Sequence, residues 1–188
     1  MRIIAGSAKG RRLRSLRGRA LRPTADRVRE AMFGTLGERV VEARFLDLYA
    51  GVGTVGLEAL SRGAAEAVFV ESHRAAARVI AENAEQCGFG KEARVVTASV
   101  ERALGLLSRE GVEFEVVFAD PPYEVGEAGA VMERLAREAG LVAEGGLVIC
   151  QHSRREPLEE KIGGFWRKKA SRYGETIVDF YQTGRPDD

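Results

Sequence analysis

Asp120-Pro121-Pro122-Tyr123 combines a carboxylate, two prolines and an aromatic ring in four consecutive residues. It follows the apolar run Val116–Ala119, which is typical of a buried strand that ends at Asp120. The Asp120 carboxylate and the Pro121 carbonyl can each accept a hydrogen bond, and Tyr123 offers a ring face for stacking. The motif therefore predicts a clamp for a planar –NH₂ group. The alternative is a rigid turn, because proline fixes φ and has no N–H donor.

A second motif, Gly51-Val52-Gly53-Thr54-Val55-Gly56, matches G-x-G-x-x-G, and Glu71 follows Gly51 by 20 residues. Glycines in this pattern let a backbone approach a pyrophosphate, and the later acid binds ribose hydroxyls. A purely structural turn between a strand and a helix is the alternative. Asp47, however, precedes the glycines and would repel a pyrophosphate. A carboxylate there suits a cationic ammonium, as in the methionine part of S-adenosylmethionine, while Glu71 can still hold the ribose.

The charge of the chain is unevenly distributed along the sequence. The 188 residues carry 29 Lys+Arg and 28 Asp+Glu, a formal net charge of +1. Residues 1–30, however, carry +8 and the remainder −7. Because arginine pairs with phosphate bidentately and stacks on bases, the basic segment predicts a nucleic-acid-binding arm on an acidic body. A solvated basic surface is the alternative.

The elements that must position these groups follow a simple order. Residues 2–14 predict two short strands around a Gly/Lys turn, and Pro23-Thr24 predicts a helix start with Thr24 as N-cap. From Phe45 onward strands alternate with helices, which is typical of a parallel, doubly wound sheet with its active site at the carboxyl ends of the strands. The expected strands are Phe45–Tyr49, Ala67–Glu71, Ala93–Thr97, Phe114–Ala119 and Gly146–Cys150, then an antiparallel hairpin near 165–172 and 176–182.

Length and composition limit the class of protein. A hydrophobic fraction of 45% is ordinary for a globular domain, and two cysteines are too few for a disulfide scaffold or a zinc site. We therefore expect no metal. The sequence shows no apolar signal core and no run of membrane-spanning length, so we expect a soluble cytoplasmic protein without a membrane partner. We expect a monomer.

With both motifs in this order, the chain resembles the class I S-adenosylmethionine-dependent methyltransferases that act on exocyclic amines, whose signature is (D/N)-P-P-(Y/F/W). More closely, it resembles the bacterial small-subunit ribosomal RNA guanine-N2 methyltransferase D family. The matching stretches run through nearly the whole chain: RIIAGSAKGRRL, LRPTADRVREAMFGTL, FLDLYAGVGTVGLEALSRGA, VFVES, DPPY and RYGET. DPPY alone is shared with DNA methyltransferases, so the Arg-Pro-Thr stretch carries the narrower assignment.

The resemblance implies a fold and a reaction. The fold is a Rossmann-like methyltransferase domain over residues 23–188, with a mostly parallel, doubly wound seven-stranded sheet and an antiparallel C-terminal hairpin. A small basic β-hairpin extension over residues 1–22 would bind RNA. The reaction is in-line methyl transfer from S-adenosylmethionine to the N2 amine of a flipped guanine in small-subunit (16S) ribosomal RNA, as naked RNA or in an assembling ribosomal particle.

The resemblance also assigns residues to roles. Those that hold the target base are Asp120, Pro121, Pro122 and Tyr123. Those on the cofactor are Asp47, Tyr49, Ala50, Gly51, Gly53 and Thr54 toward the methionine, Glu71 at the ribose, and Ser72, Ser99 and Val100 near the adenine. Related enzymes often carry an Asp after the third strand; because Thr97–Val100 has none, we expect only a backbone contact there. The expected RNA contacts are Arg2, Lys9, Arg11, Arg12, Arg14, Arg22 and Thr24.

Three other functions remain open on the sequence. An amino-methyltransferase acting on another RNA or DNA base would use the same two motifs. An NAD-dependent oxidoreductase would explain the glycine loop and Glu71 but leaves the Asp-Pro-Pro-Tyr motif without a role. A non-catalytic RNA-binding protein would explain the basic arm but neither motif.

Overall fold

The computed structural model describes residues 1–16, 23–122 and 126–184, with side chains described for 1–16, 26–122 and 126–184. Tyr123 and Arg22, both predicted site residues, lie outside these ranges, as does the side chain of Thr24. The chain forms two compact units, Met1–Ser99 and Val100–Asp188.

The first unit packs helices against three parallel strands in the order β3-β2-β1. The strands are near-continuous apolar runs because such strands are covered on both faces, and β1 and β2 are almost entirely buried. The elements are helix α1 (Pro23–Leu36), a 3₁₀ turn (Gly37–Val40), strand β1 (Arg44–Leu48), helix α2 (Thr54–Ser61), strand β2 (Glu66–Glu71), helix α3 (Arg74–Cys87) and strand β3 (Ala93–Thr97).

The second unit combines one parallel strand pair with an antiparallel meander, in the order β4-β5-β8-β7-β6. Strands β4 and β5 are parallel, and the later pairs are antiparallel. Its elements are helix α4 (Val100–Arg109), strand β4 (Phe114–Ala119), helix α5 (Glu127–Arg137), and strands β5 (Val142–Ser153), β6 (Lys161–Ile162), β7 (Phe165–Tyr173) and β8 (Thr176–Thr183).

The expected mixed α/β class and the C-terminal hairpin are confirmed, with differences in detail. The described ranges contain eight strands, because the two-residue β6 is too short to leave a periodic signal. Strand β5 begins at Val142 rather than Gly146. The register of β4 against β5 shifts between Phe114 and Val116, and Gly145 takes a positive φ of 69° beside this irregularity. The glycines that resembled a strand boundary lie within the strand.

The N-terminal segment forms one isolated antiparallel bridge, Arg2 to Arg12, instead of two strands. Hydrogen bonds from Gly10 N to Ile3 O (2.9 Å) and from Leu13 N to Met1 O (3.0 Å) hold this loop closed. We call residues 1–16 the N-terminal arm. The following helix begins at Pro23, one residue before the expected N-cap Thr24, because proline is well suited to the first helical position.

Within the described ranges, no helix combines the length and the apolar character that a membrane crossing requires. In the same ranges, no group of three or more His, Cys, Asp or Glu side chains could hold a metal ion.

Candidate active site

The glycine loop between β1 and α2 is a tight turn of unusual backbone conformation. Tyr49, Gly51 and Gly53 all have positive φ, at 59°, 60° and 82°. A Cβ on Gly53 would approach Ile80 to 3.1 Å, and one on Gly56 would overlap the ring of Phe69. Glycine is therefore favoured at both positions, since the loop and the first turn of α2 lie directly against β2 and α3.

Asp47, the penultimate residue of β1, has a structural partner at the start of α2. Its side chain is only 1% exposed, and Oδ2 accepts a hydrogen bond from the backbone N–H of Gly56 at 2.8 Å. A helix leaves its first amides unpaired and carries partial positive charge there, so a carboxylate at this position is stabilised. The interpretation of Asp47 as a cofactor ligand did not foresee this bond, and its contact with a cofactor stays a prediction.

Glu71, the last residue of β2, holds the other side of the glycine loop. Its Oε2 accepts from the Gly51 N–H at 2.8 Å, and its Oε1 accepts from the His73 N–H at 2.7 Å. Each carboxylate oxygen has two lone pairs, so these bonds leave acceptor capacity for ribose hydroxyls. The structure thus places Glu71 against the first glycine of the loop, while its role at a ribose remains a prediction.

The other predicted cofactor residues lie in or beside this loop, or follow strands β2 and β3 in the sequence. Ala50 donates its N–H to Val70 O at 3.0 Å, and Thr54 Oγ1 donates to the Met1 sulfur at 3.3 Å. Ser72 and Ser99 are exposed. Val100 is buried, and a contact of Ser99 or Val100 with the adenine stays a prediction.

Asp120 immediately follows β4, as predicted, and is held by a residue on the neighbouring strand. Gln151, on β5, donates its side-chain N–H to Asp120 Oδ1 at 3.0 Å. Pro121 is buried and Pro122 is exposed. Gln151 gave no motif in the sequence; its only signal was the position at the end of an apolar strand. We therefore add Gln151 as a residue that orients the Asp120 carboxylate.

A charged group on α2 that sequence reasoning missed secures the N-terminal arm. Glu58 is fully buried, and its two oxygens accept from the backbone N–H groups of Ile4 (2.8 Å) and Ala5 (3.0 Å). Arg62 Nε donates to the same carboxylate at 2.9 Å. Arg29 lies 3.7 Å away and donates to the Arg2 carbonyl at 2.8 Å. Burial lowers the pKa of Arg29, although the charges of Glu58 and Asp26 oppose that effect.

Ser61, one turn further along α2, is the second attachment point of the arm. Its carbonyl accepts from the Ser7 N–H at 2.7 Å. Its hydroxyl accepts from the Ala8 N–H at 3.0 Å and donates to the Ala5 carbonyl at 2.6 Å. Because the arm binds the helix that begins at the glycine loop, the predicted RNA-binding segment and the predicted cofactor loop share one support.

The predicted RNA-binding cations of the arm are all exposed: Arg2, Lys9, Arg11, Arg12 and Arg14. Two of them also bond to side chains or backbone of α3. Arg11 donates to the Gln86 carbonyl at 3.1 Å, and Arg14 forms an ion pair with Glu82 at 2.7 Å, so these two help to attach the arm to α3. A contact of any of them with RNA remains a prediction.

Buried titratable groups in the second unit form a structural cluster. His152 Nδ1 faces the Ser153 carbonyl (3.0 Å) and Nε2 faces Asp179 Oδ2 (3.1 Å). Burial disfavours the imidazolium, but these two acceptors more than offset it and raise the pKa of His152. Burial and the nearby charge of Asp179 raise the pKa of the Cys150 thiol well above its ordinary value. Cys150 is therefore protonated and no nucleophile.

A Rossmann-like fold with this glycine loop is shared by dinucleotide-binding enzymes and methyltransferases, and similarity to known proteins assigns this chain to the methyltransferases. The family model described as Conserved hypothetical protein 95 matches residues 1–182, and the chain belongs to this family. It is 35% identical over 182 residues to "Putative rRNA methyltransferase YlbH" of Bacillus subtilis, covering 97% of this chain and 98% of the relative.

A sequence and a solved structure from Escherichia coli are also similar to this chain. "Ribosomal RNA small subunit methyltransferase D" is 42% identical over 126 residues, which span 67% of this chain and 62% of that relative. The solved structure titled "Putative methyltransferase yhhF" superimposes with a TM-score of 0.84 at 33% identity, covering 97% of each chain. The fold expected from the sequence is thus confirmed.

Proposed function

We propose that this chain transfers a methyl group from S-adenosylmethionine to the exocyclic N2 amine of a guanine in small-subunit ribosomal RNA. The observation that carries the proposal is the Asp120 carboxylate, fixed by Gln151 at the carboxyl end of a buried strand and followed by Pro121. The names of the relatives from Bacillus subtilis and Escherichia coli support ribosomal RNA as the substrate.

The polar groups of the glycine loop favour S-adenosylmethionine over a dinucleotide. The Asp47 carboxylate accepts a hydrogen bond from the Gly56 N–H at the start of α2. In a dinucleotide site, N–H groups at such a helix start bind the pyrophosphate. The negative charge of Asp47 opposes a phosphate and attracts an ammonium. Glu71 lies at the end of β2, where a diol could bind its remaining lone pairs. This charge pattern argues against an NAD-dependent oxidoreductase.

Asp120 has the chemistry that an exocyclic amine requires. The N2 lone pair of guanine is delocalised into the ring, so the free amine is a poor nucleophile. Accepting its N–H bonds at the Asp120 carboxylate and the Pro121 carbonyl localises the lone pair and stabilises the positive charge that develops on nitrogen. When bound, S-adenosylmethionine supplies an already activated methyl group. The excess proton leaves to Asp120 or to water.

The base must leave its stack before Asp120 can reach its amine. Tyr123, the last residue of the motif, is the proposed new stacking partner, worth about 1–3 kcal/mol by analogy with single-strand binders. The N-terminal arm would supply affinity for RNA phosphates that is independent of sequence. The proposed substrate is small-subunit ribosomal RNA, either naked or within an assembling ribosomal particle. We also propose that the enzyme is cytoplasmic and acts as a monomer.

Two variants separate the amine side from the cofactor side of the reaction. Asp120→Ala should lower the rate of methyl transfer at least about 100-fold, while S-adenosylhomocysteine affinity stays within about twofold. Glu71→Gln should instead weaken S-adenosylhomocysteine binding about tenfold or more, because a hydrogen-bonded charge is removed. Loss of cofactor binding in Asp120→Ala, or full methyl transfer by it, would contradict the assigned role.

Salt dependence tests the arm as an RNA-binding surface. Removing one cation that neutralises an RNA phosphate should flatten the slope of log affinity against log salt by about 0.7–0.9. We expect this for Arg12→Gln, in which one exposed arginine of the arm is neutralised. Arg39→Gln, an exposed site outside the arm with the same charge change, is the matched control and should leave the slope unchanged. Equal slopes for the two variants would show that Arg12 is ordinary surface.

A further inference from the structure

Asn83 on α3 is a fully buried polar residue that bonds to two separate segments of the first unit. Its Oδ1 accepts from the Arg14 N–H at 2.8 Å, and its Nδ2 donates to the Arg14 carbonyl at 3.1 Å. The same Nδ2 donates to the Val52 carbonyl at 3.0 Å. One side-chain amide therefore connects the N-terminal arm directly to the glycine loop.

The bond to Val52 completes the fixation of the loop backbone. The peptide between Ala50 and Gly51 is held at its N–H by Glu71 (2.8 Å) and at its carbonyl by the Gly53 N–H (2.8 Å). In the peptide between Val52 and Gly53, the Gly53 N–H donates to the Ala50 carbonyl, and the Val52 carbonyl accepts from Asn83. Without Asn83, the bond from Gly53 to Ala50 is the one that remains to orient this peptide among the described residues.

We infer that Asn83 is a positioning residue through which RNA seated on the arm orders the glycine loop for the cofactor. This inference rests on the proposed function. The Arg14 backbone bonds the Asn83 amide through both its N–H and its carbonyl, so a displacement of the arm at Arg14 rotates or releases that amide. The Val52 carbonyl then loses its donor. An arm held against RNA keeps the amide, and therefore the loop, in the arrangement described.

Linkage gives the inference a measurable form. If RNA on the arm tightens cofactor binding by some factor, the cofactor must tighten RNA binding by the same factor. Couplings between binding sites are typically about 5-fold to 150-fold. If Asn83 only stabilised the fold, replacing it would lower the melting temperature but would not change the factor by which RNA tightens cofactor binding.

The test is the dissociation constant of S-adenosylhomocysteine, measured by calorimetry with and without transcribed small-subunit ribosomal RNA. In the unmodified protein we expect RNA to tighten binding about 5-fold or more. In Asn83→Ala the two constants should agree within about twofold. Gln86→Ala is the matched control: Gln86 donates to the Arg12 carbonyl at 3.0 Å, one turn along the same helix, and has no bond to the loop among the described residues. Gln86→Ala should keep the full increase in S-adenosylhomocysteine affinity that RNA causes in the unmodified protein.

A second measurement decides the question if Asn83→Ala does not fold. In the unmodified protein, the same RNA should slow hydrogen exchange at the Gly51 and Gly53 amides in the absence of cofactor. Unchanged exchange, an S-adenosylhomocysteine affinity indifferent to RNA, or a full coupling factor in Asn83→Ala would each overturn the inference. Failure of the proposed function is distinguishable, because the unmodified protein would then either bind no S-adenosylhomocysteine or transfer no methyl group to a guanine N2 amine of this RNA.

Discussion

Replacing Gly6 by alanine should detach the N-terminal arm from α2. Gly6 has a φ of 82°, and a Cβ there would overlap the carbonyl oxygen of Ser61. Neither atom can move independently, because both belong to the backbone. Gly10, in the same arm, has nearly the same φ of 83° but no atom within 4 Å of an added Cβ. Gly10→Ala is therefore a control for the backbone conformation alone.

The expected difference follows from the bonds around Ser61. Alanine at either position costs about 1–2 kcal/mol for a left-handed conformation. In Gly6→Ala the arm must also withdraw, which breaks the three shortest of the hydrogen bonds that Ser61 makes with Ala5, Ser7 and Ala8. At about 1 kcal/mol each, these add about 3 kcal/mol. For a chain of this size that difference lowers the melting temperature by about 6–12 °C.

Thermal and urea unfolding of the two variants, measured side by side, provide the assay. Gly6→Ala should melt well below Gly10→Ala and should bind small-subunit ribosomal RNA more weakly, because the arm is no longer held in place. Equal stability of the two variants would refute the reasoning, since only the contact with Ser61 distinguishes them.

Three further outcomes are expected. Gln151→Leu should lower the rate of methyl transfer about tenfold at unchanged S-adenosylhomocysteine affinity, because Asp120 loses the donor that orients it; an unchanged rate would show that the bond is incidental. The pair of His152 with Asp179 should stabilise the fold most below about pH 6.5, where imidazole is protonated even when unfolded. That contribution should disappear as the pH rises through the raised folded pKa. Urea midpoints from pH 5.5 to 8.5 should show this decline and should lose it in His152→Gln. Gly56→Ala should destabilise the protein by about 1–3 kcal/mol in urea unfolding, because the added methyl overlaps the ring beneath the loop.

The strands and the glycine loop were predictable because their signals are local. Strand β3 has the predicted bounds, and Asp120 follows β4 as expected, since apolar runs and turn residues mark such boundaries within a few positions. The lengths of β5 and β6 were less accessible. A glycine inside a paired strand resembles a strand end in sequence, and two residues carry no periodicity.

The attachment of the arm could not be predicted, because it depends on contacts between residues far apart in sequence. Nothing near Gly6 indicates that the Ser61 carbonyl will lie against it, and Glu58 alone resembles an ordinary helical surface residue. Asn83 did leave a trace. It lies on the buried stripe of α3 with Ile80 and Ala84, where an isolated amide requires buried partners. Their identity needed the tertiary structure.

The central claim is that Asp120 directs a methyl group to the N2 amine of guanine. It is tested most directly by incubating small-subunit ribosomal RNA from cells lacking this protein with methyl-labelled S-adenosylmethionine and identifying the labelled nucleoside by mass spectrometry. We predict N2-methylguanosine at a single position with the unmodified protein and no label with Asp120→Ala. Label in another nucleoside, or equal labelling by Asp120→Ala, would contradict the account.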